Sequence, residues 1–189
     1  DGKQQLYATD ANGDQIDTSN NDFDQLEDIE SVEANQGSTI DGRGSIAAID
    51  VDLKANSFRT NFFGQTLETI IKGFSNVLGS HNHDQINGNN EANVLIGLAG
   101  NDSIRGGSGD DKILPGDGND LVRGDAGDDR IDGGQGIDTA IYSGSKDDYT
   151  VKRLKGIVTV RDQRDDADDG NDQIENIESF KFNDGEIKL

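Results

Sequence analysis

Aspartate recurs every nine residues between Gly79 and Ile141, and this spacing is the strongest chemical signal in the chain. The segment divides into seven consecutive nine-residue units, and the sixth residue is aspartate in six of them. In chain order the sixth residues are Asp84, Asn93, Asp102, Asp111, Asp120, Asp129 and Asp138. The fourth residue is glycine in the last five units, namely Gly100, Gly109, Gly118, Gly127 and Gly136. A fixed short period of this kind predicts a solenoid, in which each unit buries one face against the next.

The glycines and the apolar eighth residues indicate how a solenoid would position these aspartates. Glycine permits the crowded backbone of a tight turn, so the first six residues of a unit are predicted to form a turn and the last three a very short strand. Two units then complete one coil of 18 residues. The predicted inward residues are Ile86, Ile104, Val122 and Ala140 in one sheet and Leu95, Ile113 and Ile131 in the other. The fold class is therefore all-β: a parallel β-roll of two short-stranded sheets, with β-rich capping segments on its flanks.

Stacked turns would lie about 4.8 Å apart, so each pile of turns becomes a column of carboxylates. Such a column is repulsive unless cations lie between its members. Ligands that are all oxygen, with several carboxylates and backbone carbonyls, favour calcium over magnesium or zinc. Seven turns leave five gaps, so we expect four to five Ca²⁺ ions. Five ions would remove about half of the formal net charge of -21.

The units match the pattern GGxGxDxUx, and residues 79–141 resemble the RTX, or haemolysin-type calcium-binding, repeats. The resemblance implies that aspartates and backbone carbonyls from two stacked turns hold each ion. It pairs Asp84 with Asp102, Asp102 with Asp120, Asp120 with Asp138, Asp111 with Asp129, and Asn93 with Asp111. The turn glycines that it assigns to the metal sites are Gly97, Gly100, Gly107, Gly109, Gly116, Gly118, Gly127, Gly134 and Gly136. Departures from the pattern include Ser80, Asn82, Glu91 and Pro115, the last of which cannot be left-handed.

Apolar burial alone does not account for folding of the repeats. Each unit buries one aliphatic side chain, worth about 1.5–3 kcal/mol, whereas ordering nine residues costs about 9–18 kcal/mol of backbone entropy. Backbone pairing and metal must supply the rest, so we expect folding to depend on calcium. Extracellular calcium modules typically bind at about 10⁻⁴–10⁻³ M, which favours a secreted, extracellular protein.

The flanks divide the chain into 1–78, an irregular β-rich N-terminal flank, 79–141, the roll, and 142–189, a C-terminal β cap. DQLEDIESVEANQG (24–37) and DQIENIESFKFNDG (172–185) share eight of fourteen residues and are interpreted as irregular rungs or caps. The spacing in 67–78 fits either a helix or an extra rung. Ile49 and Val51 alternate with polar residues as in a strand, and Lys155-Gly156 predicts a hairpin turn.

The tail resembles the C-terminal stretch of RTX proteins exported by type I secretion machinery of the Gram-negative or cyanobacterial kind. The alternative is a capping β-domain without an export role. The chain begins at Asp1 and contains no methionine, so we expect it to be a piece of a longer protein. It has no cysteine and no long apolar run, and we expect neither disulfides nor membrane insertion.

Two further patterns have a metal interpretation and a simpler one. Asp10, Asn12 and Asp14 have the ligand spacing of an EF-hand loop, but the rest of that pattern fails, and an Asn-Gly hairpin turn is favoured. His81 and His83 could chelate zinc, but with no third nitrogen or sulfur ligand nearby a variant turn is favoured.

The function favoured by these patterns is a calcium-binding module that folds after secretion and stabilises a larger adhesin or exoenzyme. The alternative is a module that binds alginate or another anionic polysaccharide. For that alternative the candidate residues are Arg105 with Arg123 and Lys112 with Arg130, each pair one coil apart on an outer face. No catalytic motif is present, so we expect no enzyme, and the acidic charge argues against nucleic acid as a partner.

Overall fold

The computed structural model describes residues 7–9, 15–17, 31–43, 45, 47–62, 65–164 and 169–189. The strands are β1 Tyr7–Thr9, β2 Gln15–Asp17, β3 Ser31–Asp41, β4 Ile49–Asp52, β5 Ser57–Phe62, β6 Gln65–Leu78, β7 Gln85–Asn87, β8 Val94–Ala99, β9 Ser103–Ser108, β10 Lys112–Gly118, β11 Leu121–Ala126, β12 Arg130–Asp132, β13 Gly134–Gly136, β14 Thr139–Ile141, β15 Tyr149–Leu154, β16 Ile157–Asp162, β17 Asn171–Glu175, β18 Ser179–Phe182 and β19 Gly185–Lys188. One 3-10 turn, Lys146–Asp148, is the only helical element in this part of the chain. No helix among the described residues is long and apolar enough to cross a lipid bilayer.

The predicted β-roll is confirmed, and its strands stack in two parallel sets that we name after the rank of the units they contain. In the even stack, β3, β6, β8, β10, β12 and β17 pair in that order. Each rung contributes one buried aliphatic residue: Ile40, Val77, Leu95, Ile113, Ile131 and Ile174. Leu95, Ile113 and Ile131 are the inward residues predicted for this sheet.

The odd stack is built in the same way from β4, β7, β9, β11, β14 and β18. The buried residues that lie in register along it are Val51, Ile86, Ile104, Val122, Ala140 and Phe180. The two lines of side chains belong to one hydrophobic cluster. The stacks thus continue on both sides of 79–141 into rungs from the flanks.

β7, β12 and β14 have the three residues expected from the turn-and-strand division, whereas the four strands between β7 and β12 are longer. β8, β9 and β11 contain six residues each and β10 contains seven. The difference arises because the first residues of the following turn also pair in register with the next coil. Gly116 pairs with both Leu98 and Gly134, for example.

On the N-terminal side, residues 65–78 form strand β6, so the helical alternative for 67–78 is wrong and the extra rung is correct. Val77 pairs with Leu95, one 18-residue coil later. The strand predicted around Ile49 and Val51 is confirmed as β4. The first half of the repeated segment 24–37 lies outside the described residues, and its second half, 31–37, lies in β3.

On the C-terminal side, an antiparallel hairpin of β15 and β16 interrupts the roll before the chain returns to it. Lys155 and Gly156 form its turn with φ of 53° and 93°, as the sequence predicts. β16 then pairs with β17, which stacks on β12, and β18 stacks on β14. The C-terminal cap, residues 142–189, therefore supplies the last rung of both stacks.

Candidate metal centre

The sixth residues of the units form two columns, one along each stack. In both columns the backbone N–H of each sixth residue donates to the side-chain Oδ1 of the next, 18 residues later. The bonds are Asp84 to Asp102, Asp102 to Asp120, Asn93 to Asp111 and Asp111 to Asp129 at 2.8 Å, and Asp120 to Asp138 at 2.9 Å. We call Asp84, Asp102, Asp120 and Asp138 the odd column, and Asn93, Asp111 and Asp129 the even column. Except for the first residue of each column, every aspartate thus has one carboxylate oxygen fixed by the backbone of the preceding coil.

The second oxygen divides the seven residues into two groups. In five of them Oδ2 is buried and has no hydrogen-bond donor: Asp102, Asp111, Asp120, Asp129 and Asp138. In Asp84, Oδ2 accepts from the N–H of Ser80 at 2.6 Å. In Asn93, Oδ1 accepts from the N–H of Asn89 at 2.9 Å, and Nδ2 donates to the carbonyl of Ser75 at 2.8 Å. The first residue of each column is therefore satisfied by protein groups, and the other five are not.

The backbone at the second position of each unit explains this division. That residue is left-handed in the last five units: Leu98, Gly107, Gly116, Asp125 and Gly134 have φ between 65° and 114°. Ser80 and Asn89, at the same position of the first two units, do not have positive φ and use their N–H as the donor. Leu98 and Asp125 adopt this conformation against the usual steric cost of about 1–2 kcal/mol. The last five turns are thus built so that the N–H does not reach the carboxylate.

The first position of the units brings a backbone carbonyl close to the free oxygen. A Cβ added at Gly97 would lie 2.2 Å from Oδ2 of Asp102 and 2.5 Å from the carbonyl oxygen of Pro115 in the next coil. A Cβ added at Gly106 would likewise lie 2.2 Å from Oδ2 of Asp111 and 2.6 Å from the carbonyl oxygen of Gly124. A carboxylate and a carbonyl from neighbouring coils therefore converge on one glycine.

Burial makes these carboxylates hard to ionise without a cation. It raises the pKa of Asp102 and Asp111 to about 7 and that of Asp129 and Asp138 to about 6. Burial also raises the pKa of Asp120. For Asp102, the charges of Asp84 and Asp120 in the same column raise the pKa further, whereas the hydrogen bond from the backbone lowers it.

These observations fit a hard divalent cation. Five buried oxygens lack donors, and each unpaired buried carboxylate oxygen is costly unless something positive compensates it. The neighbouring groups in each column are carboxylate and carbonyl oxygens, which calcium accepts in irregular geometry. No group of three or more His, Cys, Asp or Glu side chains within the described ranges could hold a metal, so backbone oxygens must complete any site.

Comparison with protein families agrees with this geometry. The family model of the RTX calcium-binding nonapeptide repeat matches residues 79–113, 87–122 and 116–140, in 4 copies. Residues 79–140 are RTX calcium-binding repeats. The chain therefore contains a calcium-binding module, and RTX repeats are typical of secreted proteins. A comparison with curated proteins gave no significant match.

The turn glycines predicted for the RTX sites fall into three structural classes. Those at the fourth position are left-handed, with φ between 99° and 153°: Gly100, Gly109, Gly118, Gly127 and Gly136. Gly107, Gly116 and Gly134 form the left-handed second position, and Gly97 is the first-position glycine on which the two oxygens converge. Pro115 occupies a first position, which is not left-handed in any of the seven units.

The two basic pairs lie in register as the sequence suggested, but they differ in charge environment. Arg105 pairs with Arg123, and both form ion pairs with Asp125, which lies between them. Lys112 pairs with Arg130, and both are exposed. Neither of the latter forms an ion pair with the described residues. Asp125 therefore compensates one of the two positive charges of the arginine pair, whereas no described carboxylate pairs with Lys112 or Arg130.

The two alternative metal motifs receive no further support. His81 is exposed, and Nδ1 of His83 accepts a hydrogen bond from the N–H of Asn101 at 2.5 Å, as expected for a variant turn. β1 and β2 pair antiparallel, which favours the hairpin near the N-terminus. Asp10, Asn12 and Asp14 lie outside the described residues.

Sequence reasoning missed that the C-terminal cap contains two thirds of another repeat. Residues 170–175, GNDQIE, fit the last six positions of the pattern, and they stack on residues 127–132 of the sixth unit. Asp172 takes the sixth position, and its Oδ1 accepts from the N–H of Asp129 at 3.0 Å. Its spacing of 43 residues from Asp129 hides it from a search for a nine-residue period. The signal that could have found it is the short motif GxDxI itself.

Proposed function

We propose that this chain is a secreted module that is unfolded at the low calcium of the cytosol and folds on calcium outside the cell. The observation that carries the proposal is the set of five buried Oδ2 atoms without donors, at five turns whose second residue is left-handed. In the absence of a cation, each of these turns contains a desolvated carboxylate, and two of them also contain a strained left-handed residue, Leu98 or Asp125. Calcium offsets both costs, so binding and folding are coupled.

The expected number of ions is five, one for each free Oδ2. Asp84 and Asn93 head the two columns and already have protein donors, so we expect them to contribute less to binding than the other five residues. The geometry at Gly97 and Gly106 supports sites that open toward the following coil. The family resemblance implies sites that begin at Asp84 and Asn93, whereas the free Oδ2 atoms begin one coil later, at Asp102 and Asp111. The set of expected sites is therefore displaced by one coil toward the C-terminus.

The test compares the full chain in a calcium chelator with the same chain in millimolar calcium, and with magnesium as the control cation. Circular dichroism should show strand signal only with calcium, and size exclusion should show a smaller hydrodynamic radius. An apo protein that is as compact and as folded as the calcium-loaded protein would refute the proposal.

The cap has a second proposed role, in export through type I secretion machinery. Such machinery passes unfolded chains, which agrees with a module that folds only after meeting calcium. A reporter fused to the full chain, and to a chain ending at residue 141, should be exported only in the first case. Equal export of both fusions would leave the cap with a structural role alone.

A weaker candidate function is binding of an anionic polysaccharide such as a polyuronate. The observation that favours it is the exposed Lys112–Arg130 pair, in register on the outer face of the even stack. Asp125 reduces the case for Arg105 and Arg123. The two pairs therefore differ in expected contribution, which makes the candidate testable.

A further inference from the structure

The odd column continues beyond the repeats into the C-terminal cap. The backbone N–H of Asp138 donates to Oε2 of Glu178 at 2.8 Å, although the two residues are 40 positions apart. Within the repeats the N–H of Asp102 makes the equivalent bond to Asp120, also at 2.8 Å. Glu178 thus occupies the place of the next carboxylate in the column.

The cap also supplies the carbonyl that the next coil would provide. A Cβ added at Gly133 would lie 2.1 Å from the carbonyl oxygen of Asn176 and 2.7 Å from Oδ2 of Asp138. This is the arrangement found at Gly97. Asn176 is left-handed, with φ of 51°, and its Nδ2 donates to Asp132 at 2.7 Å, which fixes the carbonyl in place.

Asp138 has no solvent exposure, and its Oδ2 has no donor. The end of the even column is different. There Oδ2 of Asp172 accepts a hydrogen bond of 2.8 Å from the hydroxyl of Tyr142, so a protein group closes the column. At the end of the odd column the groups that converge on Asp138 are oxygens, from Asn176 and Glu178.

We propose that a calcium ion joins the roll to the C-terminal cap, with Oδ2 of Asp138, the carbonyl oxygen of Asn176 and the carboxylate of Glu178 as ligands. Two of these residues lie outside the RTX repeats, which end at residue 140. The inference rests on the proposed calcium-dependent folding. Its consequence is that docking of the cap is itself controlled by calcium.

The test uses Glu178→Gln, which keeps an oxygen for the N–H of Asp138 but removes the charge. The matched control is Glu175→Gln, an exposed glutamate of the cap that lies three positions earlier, in the even stack. The chain has no tryptophan and three tyrosines. Tyr142 and Tyr149 pack edge to face in the cap with ring centroids 5.1 Å apart, so in a Tyr7→Phe background tyrosine fluorescence reports the cap alone.

Native mass spectrometry of the calcium-loaded full chain should show one ion fewer for Glu178→Gln than for Glu175→Gln. The calcium concentration at the midpoint of the tyrosine signal should rise roughly tenfold, as expected when a metal loses one supporting group. Equal ion counts and equal midpoints for the two variants would overturn the inference.

A second pair of variants covers the case in which Glu178→Gln fails to dock its cap at any calcium concentration. Asp138→Asn removes the roll's ligand at this site, and Asp102→Asn removes the equivalent ligand two coils away. The inference requires that Asp138→Asn shift the tyrosine midpoint more than Asp102→Asn does; equal shifts would overturn it. If the parent chain binds no calcium, the proposed function fails, whereas if only these variants behave alike, this inference alone fails.

Discussion

The backbone N–H of Ser80 lies 2.6 Å from Oδ2 of Asp84 and donates a hydrogen bond to it. Oδ1 of the same carboxylate accepts from the hydroxyl of Ser80 and from the N–H of Ile49, both at 2.8 Å. Asp84 therefore has three protein donors at the position where later aspartates keep one oxygen free. The roll begins on a turn that is complete without metal.

This difference predicts opposite behaviour for two otherwise equivalent substitutions. Asp120→Asn removes a carboxylate whose Oδ2 has no donor, and it should reduce the number of bound calcium ions by one. Asp84→Asn should leave the number unchanged but lower stability in excess calcium by about 1–3 kcal/mol, because an amide N–H₂ must then face a donor. Native mass spectrometry and thermal unfolding measure the two effects, and loss of an ion from both variants would contradict the assignment.

Gly106, at the first position of its unit, should be required for steric reasons. A Cβ at Gly106 would lie 2.2 Å from Oδ2 of Asp111, so Gly106→Ala should cost about 3 kcal/mol in the free energy of unfolding and weaken calcium binding. The control is Gly156→Ala, where φ is 93° but no atom lies within 4 Å; it should cost about 1–2 kcal/mol with calcium binding unchanged. Chemical denaturation in excess calcium compares them, and similar calcium affinities for both variants would argue against the close approach.

The raised pKa values predict a pH dependence with opposite signs for the apo and calcium-bound states. Burial raises the pKa of Asp102 and Asp111 from 3.8 to about 7, so the apo fold takes up protons that the unfolded chain does not hold at the same pH. Its stability is therefore greatest below about pH 4 and is lost as the pH rises toward 7. Calcium affinity should change the other way, because protons and calcium compete for the same carboxylates.

Circular dichroism in chelator at pH 5.5 and pH 8 should accordingly show more strand at the lower pH, while the calcium midpoint at pH 5.5 lies at higher concentration. The double variant Asp102→Asn/Asp111→Asn serves as the control and should show a smaller gain of apo structure on acidification. An apo signal that is the same at both pH values would contradict the role assigned to burial.

Binding of a polyuronate, if it occurs, should depend on one basic pair and not on the other. Lys112→Ala/Arg130→Ala should abolish binding of oligouronates to the calcium-loaded protein, and binding should weaken as salt increases. Arg105→Ala/Arg123→Ala should have little effect, because Asp125 already pairs with both arginines. Isothermal titration measures both variants, and equal losses would remove the distinction between the pairs.

The repeats were predictable because their period is local. A nine-residue unit with one apolar and one acidic position specifies its own turn, and every copy of the unit adopts a similar turn and strand. The inward residues, the stacking interval of 18 residues and the choice of calcium all follow from this register. The extra rung at Val77 also lies in register, nine residues before Ile86, although the helical spacing around it kept a second interpretation open.

The ends of the roll were not predictable in the same way. Ile174 stacks on Ile131 and Phe180 stacks on Ala140, although the antiparallel hairpin of β15 and β16 lies between them in the chain. Pairings over such distances carry no periodic signal. Similarly, Asp125 stands where the pattern has glycine, and nothing in the letter pattern specifies its contact with both arginines.

The sequence by itself therefore determined the repeating unit, the two lines of buried aliphatic residues and the oxygen-rich columns that suit calcium. Only the tertiary structure decided which carboxylates keep a free oxygen and how each column ends. The physical reason is that a nine-residue repeat encodes its geometry through neighbouring residues. Whether a buried carboxylate finds a donor depends instead on the backbone conformation of its turn, as at Ser80 for Asp84, and on groups from distant segments, such as Tyr142 for Asp172.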